Sequence, residues 1–280
     1  MANQVMDTAG NLTVIVPQIW SANWYKSLLA DLPFNSVVSR DYEGEIRNLG
    51  DTVKISQFPE FSDATELAES AANDADAITV TQQSLVINKR IVKDFIVTDK
   101  ASLQSLPAMD QLQELAIFAI LKKVQKNIID ASIPSASSPD HSIAYTSGVV
   151  LDLAKLVAAK KLLDAQNVPL ENRHAVLGTN QANDIFSITN FTSSDFVTGA
   201  NLLTTGQVGN PLLGFMPHMT TEVGDVCYLF HRSYFTMAAQ KNIDVKVFDL
   251  GVQGIRAARV NIDILAGFKL LDNKRLVTIG

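Results

Sequence analysis

The chain has a single cysteine, Cys227, so no disulfide can close within it. It sits in the apolar run Val226-Cys-Tyr-Leu-Phe230 and reads as core packing in preference to a reactive thiol. No apolar run approaches the roughly 20 residues that cross a bilayer. Residues 1–10 lack the basic start and apolar stretch of a signal peptide. Together these absences imply a protein made and used in a cytoplasm.

Catalytic signatures are missing as well. There is no Gly-x-Ser-x-Gly elbow, no Gly-x-x-x-x-Gly-Lys phosphate loop and no His-Glu-x-x-His helix. The glycine pairs Gly206/Gly209 and Gly251/Gly254 lack the rest of a dinucleotide fingerprint and read as turns. His141, His174, His218 and His231 are the only histidines, and their spacing matches no common metal motif. His174 and His231 border apolar strands, where a partly buried, hydrogen-bonded histidine is the ordinary case. Basic residues are scattered, and a pI near 5.2 argues against a nucleic-acid footprint. The sequence predicts no catalytic, cofactor-binding or metal-binding residues, and a role other than that of an enzyme.

What is present is a sizeable globular core. Of 280 residues 47% are hydrophobic and 19% charged, which excludes a disordered chain and fits one large domain or two ordinary ones. The formal net charge is −6, and its location is informative. No Lys or Arg lies between Lys54 and Lys89, a stretch holding Glu60, Asp63, Glu66, Glu69, Asp74 and Asp76. Those six acids equal the whole net charge. Their spacing does not match an EF-hand calcium loop. A segment of one sign is either a solvated loop or a surface built to meet something else.

The pattern of elements is mixed. Trp20, Trp24 and Leu28 recur every four residues, predicting a short helix that Pro33 ends. A helix this short must dock its aromatic face on something. Val53 and Ile55 alternate with polar residues, as in a strand, and a second strand-like run extends from Ile78 to Val97. With the acidic stretch between them they make a long hairpin-like arm. Pro107 opens the longest helix, to about Ala131, with Leu112, Ala116, Ile120, Val124 and Ile128 on its apolar face. Lys122, Lys123 and Lys126 form a small basic cluster towards its end. Further helices are expected near 149–166 and 181–188. Strands are expected at 174–178, 226–230 and over most of the last 40 residues. Residues 132–148 and 189–214 read as linkers or loops, and the fold class as α+β.

The segment Arg40-Asp-Tyr-Glu-Gly-Glu-Ile-Arg-Asn-Leu-Gly-Asp-Thr-Val-Lys-Ile55 resembles tailed-bacteriophage major capsid proteins. Ile15-Val-Pro-Gln-Ile-Trp20, Asp99-Lys-Ala101, Ala175-Val-Leu-Gly178 and Phe230-His-Arg232 are similar to further pieces of that family, in the same order. The resemblance implies the Hong Kong 97-type fold. Residues 1–32 would be an N-terminal arm and 33–98 an extended loop. Residues 99–147 with 241–280 would form a peripheral domain around a spine helix, and 148–240 an axial domain. It implies a coat protein assembling through hexamers and pentamers into an icosahedral shell around double-stranded DNA, in the host bacterial cytoplasm and then in the virion. A portal and a separate scaffolding protein are implied partners; Met1 so close to the arm favours a separate scaffold over a processed chain. Candidate inter-subunit contacts are Trp20, Trp24 and the six acids. The acids would face Lys122, Lys123 and Lys126, or Arg256 and Arg259, on a neighbour. The lysine-asparagine crosslink of some members is not expected, because the extended loop lacks a lysine between Lys54 and Lys89. The alternative of the same fold is an encapsulin-like compartment shell. Rivals of other classes are an enzyme with a scattered site and a non-assembling binding module.

Overall fold

The computed structural model describes residues 29–43, 50–59, 61, 63, 64, 66, 69, 77–99, 106–132, 141–145, 151–188, 191, 211–250 and 256–280, the side chains of 106–110 excepted. In chain order the elements are α1 (Phe34–Val37), β1 (Thr52–Gln57), β2 (Thr81–Val86), β3 (Lys89–Thr98), α2 (Leu106–Ala131), β4 (Ser142–Ile143), α3 (Leu153–Ala165), β5 (Arg173–Leu177), α4 (Thr179–Ser187), β6 (Met216–Met219), β7 (Cys227–His231), β8 (Phe235–Asp249), β9 (Ala257–Leu270) and β10 (Leu276–Ile279).

Strand β7 explains the layering. Cys227, Tyr228, Leu229 and Phe230 are all buried. Successive strand residues point to opposite faces, so a continuous apolar run needs cover on both sides. Cys227 and Leu229 enter a core with Leu156, Ala159 and Leu163 of α3 and Ala182 and Ile185 of α4. Tyr228 and Phe230 enter a second core with Phe34 and the apolar face of α2. Val277 and Ile279 of β10 join the first core, whereas Leu276 joins the second. This sheet has five strands in the order β4-β10-β7-β5-β6. Its outer pairs are parallel and its inner pairs antiparallel.

A second sheet, β3-β9-β8, is antiparallel throughout. Val260, Ile262 and Ile264 of β9 pack with Ala116, Ile120, Val124 and Ile128 of α2. With 26 residues, α2 spans about 39 Å at 1.5 Å per residue. Leu112, expected on its apolar face, is 43% exposed. Residues four apart are offset by about 40° around a helix, so the stripe winds away from the core before it reaches Leu112.

Strands β1 and β2 form a separate antiparallel hairpin, from Thr52↔Val86 to Gln57↔Thr81. Its base is anchored. Val53, Leu85 and Ile87 pack on Ala238 of β8. Gln83 Nε2 donates to the Leu271 carbonyl at 2.8 Å, and Gln240 Nε2 to that of Gly50 at 3.0 Å. Gly267 permits the approach of β9 to the hairpin: a Cβ there would lie 2.5 Å from the Val86 carbonyl oxygen.

The short helix expected before Pro33, with Trp20, Trp24 and Leu28, lies outside the described residues; Pro33 itself caps the start of α1, and its carbonyl accepts from Val37 N at 3.1 Å. Its fixed φ suits a helix start as well as a stop. Two strand pairings run across the boundaries expected from the sequence. Lys89–Thr98, grouped with the extended loop, hydrogen-bonds along β9. Leu276–Ile279, grouped with the peripheral segment, pairs with β7 in the five-stranded sheet. Strand pairing over such separations leaves no local mark in the sequence.

Candidate assembly surfaces

Beyond its anchored base the described residues of the hairpin are exposed. Phe58 and Phe61 are 73% and 72% exposed. Ile78 and Val80, on the returning limb, are also exposed. Asp63, Glu66 and Glu69 lie exposed in the same excursion. Burying a phenylalanine side chain is worth about 1.5–3 kcal/mol. Scattered exposed apolar residues need no explanation, but two exposed phenylalanines beside exposed acids on one excursion are a candidate interaction surface. The sequence reading singled out the acids and passed over Phe58 and Phe61, although both stand in plain view beside Pro59. Glu60, Asp74, Asp76, Trp20 and Trp24 lie outside the described residues.

The expected basic counterparts divide into two groups. Lys122 is committed within the subunit, its Nζ 2.8 Å from Glu222. Arg259 is likewise paired with Asp94: Nε donates at 3.0 Å, and Nη2 makes a second, shorter contact. Asn261 Nδ2 donates to the other Asp94 oxygen at 2.5 Å. Arg259, foremost, holds the Asp94 carboxyl below the usual carboxylate range. Lys122 and Arg259 therefore already have acids of their own chain, with their side chains still about half exposed. Lys123, Lys126 and Arg256 are exposed and form no ion pair among the described residues.

The face of the three-stranded sheet turned away from α2 carries a second charge network. Asp263 of β9 is buried and accepts from Arg90 Nη2 at 2.9 Å and from Lys241. Lys241 also reaches Asp244 at 3.1 Å. Lys241, then Arg90, lower the Asp263 pKa against the opposing effect of burial. These pairs tie β3, β9 and β8 together across the sheet.

Other groups are structural. Arg173 is wholly buried; it donates to Asp164 at 2.7 Å, Val168 O at 2.6 Å and Pro169 O at 2.9 Å, fixing the turn after α3. Cys227 is buried, and burial pushes its thiol far above the usual range, so it is an inert core residue. His141 is buried with Nδ1 2.8 Å from the Leu276 carbonyl, to which it donates. His231 Nδ1 accepts from Ser233 N at 3.2 Å. His174 and His218 are brought together, Nδ1 to Nε2, at 3.2 Å. No group of three or more metal-ligating side chains occurs among the described residues. Among those residues no helix is long and apolar enough to cross a membrane.

This architecture, a long helix against a three-stranded sheet, a second helix-covered sheet and a projecting hairpin, defines a capsid-subunit fold of the Hong Kong 97 type. Solved phage capsid chains share it over nearly their whole length. A chain from Mycobacterium phage Che8 has a TM-score of 0.78 at 24% identity, covering 95% of this chain and 97% of that one. The capsid of Cyanophage P-SCSP1u matches with a TM-score of 0.78 at 11% identity, covering 99% and 98%. The capsid of Cyanophage Pam1 gives 0.73 at 13% identity, covering 100% and 99%. No curated protein matches the chain significantly. The phage capsid protein family matches residues 97–280, and the chain belongs to it. It is a bacteriophage major capsid protein, a structural component of the virion shell; the encapsulin-like alternative is not favoured.

Proposed function

We propose that this subunit builds an icosahedral shell through hexamers and pentamers, and that the 52–86 hairpin is the arm by which each copy grips the next. The observation that carries the reading is the hairpin itself. Its base is packed and hydrogen-bonded to the subunit body, while its outer part presents Phe58 and Phe61 to solvent. Burial of the two rings against a neighbour supplies the larger share of the contact, at about 1.5–3 kcal/mol each. Exposed ion pairs contribute only about 0.2–1 kcal/mol each. The acids Glu60, Asp63, Glu66, Glu69, Asp74 and Asp76 therefore set register more than strength, facing Lys123, Lys126 and Arg256 of the neighbour. Weak, repeated contacts of this kind allow misplaced subunits to leave and rejoin.

In the same reading residues 1–32 form an arm whose Trp20 and Trp24 dock by aromatic burial. The α2 body and the three-stranded sheet serve as the peripheral domain. The five-stranded sheet with α3 and α4 serves as the axial domain. The shell encloses double-stranded DNA without reading its sequence, and it assembles in the host cytoplasm with a separate scaffold and a portal. The test is the double substitution Phe58→Asp with Phe61→Asp, examined by sedimentation and negative-stain microscopy beside the wild type. The expected outcome is a folded, soluble variant that no longer closes shells. Shells of normal yield and size from the variant would overturn the role given to the hairpin.

A further inference from the structure

His174 and His218 sit on adjacent parallel strands, β5 and β6. Their register pairs His174 with Met216 and Val176 with His218. The two histidines are thus diagonal neighbours on one face, the separation at which long side chains on paired strands meet. Nδ1 of His174 and Nε2 of His218 are hydrogen-bonded at 3.2 Å, with ring centroids 5.4 Å apart and planes inclined by 31°; an ion held by both nitrogens takes the place of the shared proton, which moves to the other nitrogen of its own ring. Both rings are half-buried, so an ion from solvent can reach them. His174 lies beside the ring of Phe230, at 6.1 Å between centroids. The end of β6 is fixed to β5 by Thr220 N donating to the Leu177 carbonyl at 3.0 Å. The pair is therefore held together before any ion arrives, which removes much of the ordering cost of chelation.

We propose that His174 and His218 form a two-histidine site for a borderline divalent transition ion, Zn²⁺ or Cu²⁺, clipping β6 to β5. Imidazole nitrogen suits these ions, whereas Ca²⁺ and Mg²⁺ require oxygen ligands. At metal–nitrogen distances of about 2.0–2.1 Å, two nitrogens 3.2 Å apart subtend an angle near that between neighbouring ligands of one ion. Coordination uses the neutral ring, and burial lowers the protonation range of both rings, that of His174 to about 4. Asp31, whose carbonyl accepts from Thr220 Oγ1 at 2.6 Å, places a negative charge on the His218 side. Arg232 and His231 act on the His174 side. Arg232 is exposed, and its opposing charge is screened by water. With two protein ligands, the remaining positions on the ion are left to water. Strand β6 is an edge strand of the five-stranded sheet and follows a long connection, so the ion would stabilise that edge.

The test uses the full-length chain in dispersed form, so it does not depend on shell assembly or on the capsid reading. Zn²⁺ is titrated calorimetrically, and Cu²⁺ is followed by electron paramagnetic resonance. The expected result is saturable binding of one ion per chain at micromolar concentration, two imidazole nitrogens in the Cu²⁺ spectrum, and a melting temperature that rises with free Zn²⁺. His174→Gln and His218→Gln, made separately, each weaken binding by about tenfold or more. Wild-type protein without saturable binding below the millimolar range would overturn the proposal, whatever the variants do. So would unchanged binding in His218→Gln with the melting temperature of its ion-free form preserved, which would place the ion at His231 or on the acidic hairpin.

Discussion

Gly267 is where one methyl group decides the position of the hairpin. A Cβ there would meet the Val86 carbonyl oxygen at 2.5 Å and the Ile87 Cα at 3.1 Å, both backbone atoms that cannot rotate away. Gly267→Ala is expected to destabilise the subunit by about 1–3 kcal/mol, the range for overpacking a closed site, and to shift the hairpin base. A urea unfolding midpoint measures the first effect, and the yield of closed shells the second. Asp263 sets a pH dependence. Its folded pKa is depressed, so the unfolded chain takes up its proton at higher pH than the folded chain does. Stability from this group is therefore complete above the unfolded carboxylate value, near 4, and is lost as pH falls through the depressed folded value. Asp164, held down first by Lys160 and also by Arg173, acts in the same direction. Urea midpoints measured from pH 5 to pH 2 are expected to fall less steeply in Asp263→Asn than in the wild type. At this scale the sequence was informative only where an environment is local. Cys227 inside an apolar run was legible as core. Lys122 beside Glu222 and Arg259 beside Asp94 were not, because those partners are brought in by the fold.

Elements were more legible than contacts. The four-residue recurrence of Ala116, Ile120, Val124 and Ile128 located α2 and the face it buries, and alternation at Val53 and Ile55 located β1. The acidic excursion between β1 and β2 was visible as charge, and the projecting hairpin gives that charge a place. What periodicity could not reveal was pairing. Alternation at Ile243, Val245 and Val247 and at Val260, Ile262 and Ile264 marked β8 and β9 as strands, but not as partners of each other. The return of β10 to β7, from Leu276 opposite Phe230 to Ile279 opposite Cys227, joins segments far apart in the chain and has no local signal. Neutralising the six acids by amide substitution tests the hairpin's electrostatic role. Shells are expected to form still, because aromatic burial supplies most of the contact. Their assembly rate should lose its dependence on salt, and malformed particles should increase. An unchanged salt dependence would show that the acids are a solvated face.

For the whole molecule, fold and family agree on a protein whose activity is association with copies of itself. Among the described residues β7 is covered on both faces, and α2 buries its stripe against β9. Phe58 and Phe61, by contrast, stay exposed, and in the proposed reading a neighbour covers them. The most direct measurement is negative-stain electron microscopy with light scattering on the purified chain, alone and with other structural proteins of its phage. The account predicts closed shells, or rings of five and six subunits, in at least one of those mixtures. A uniform monomer or dimer in every mixture would contradict it.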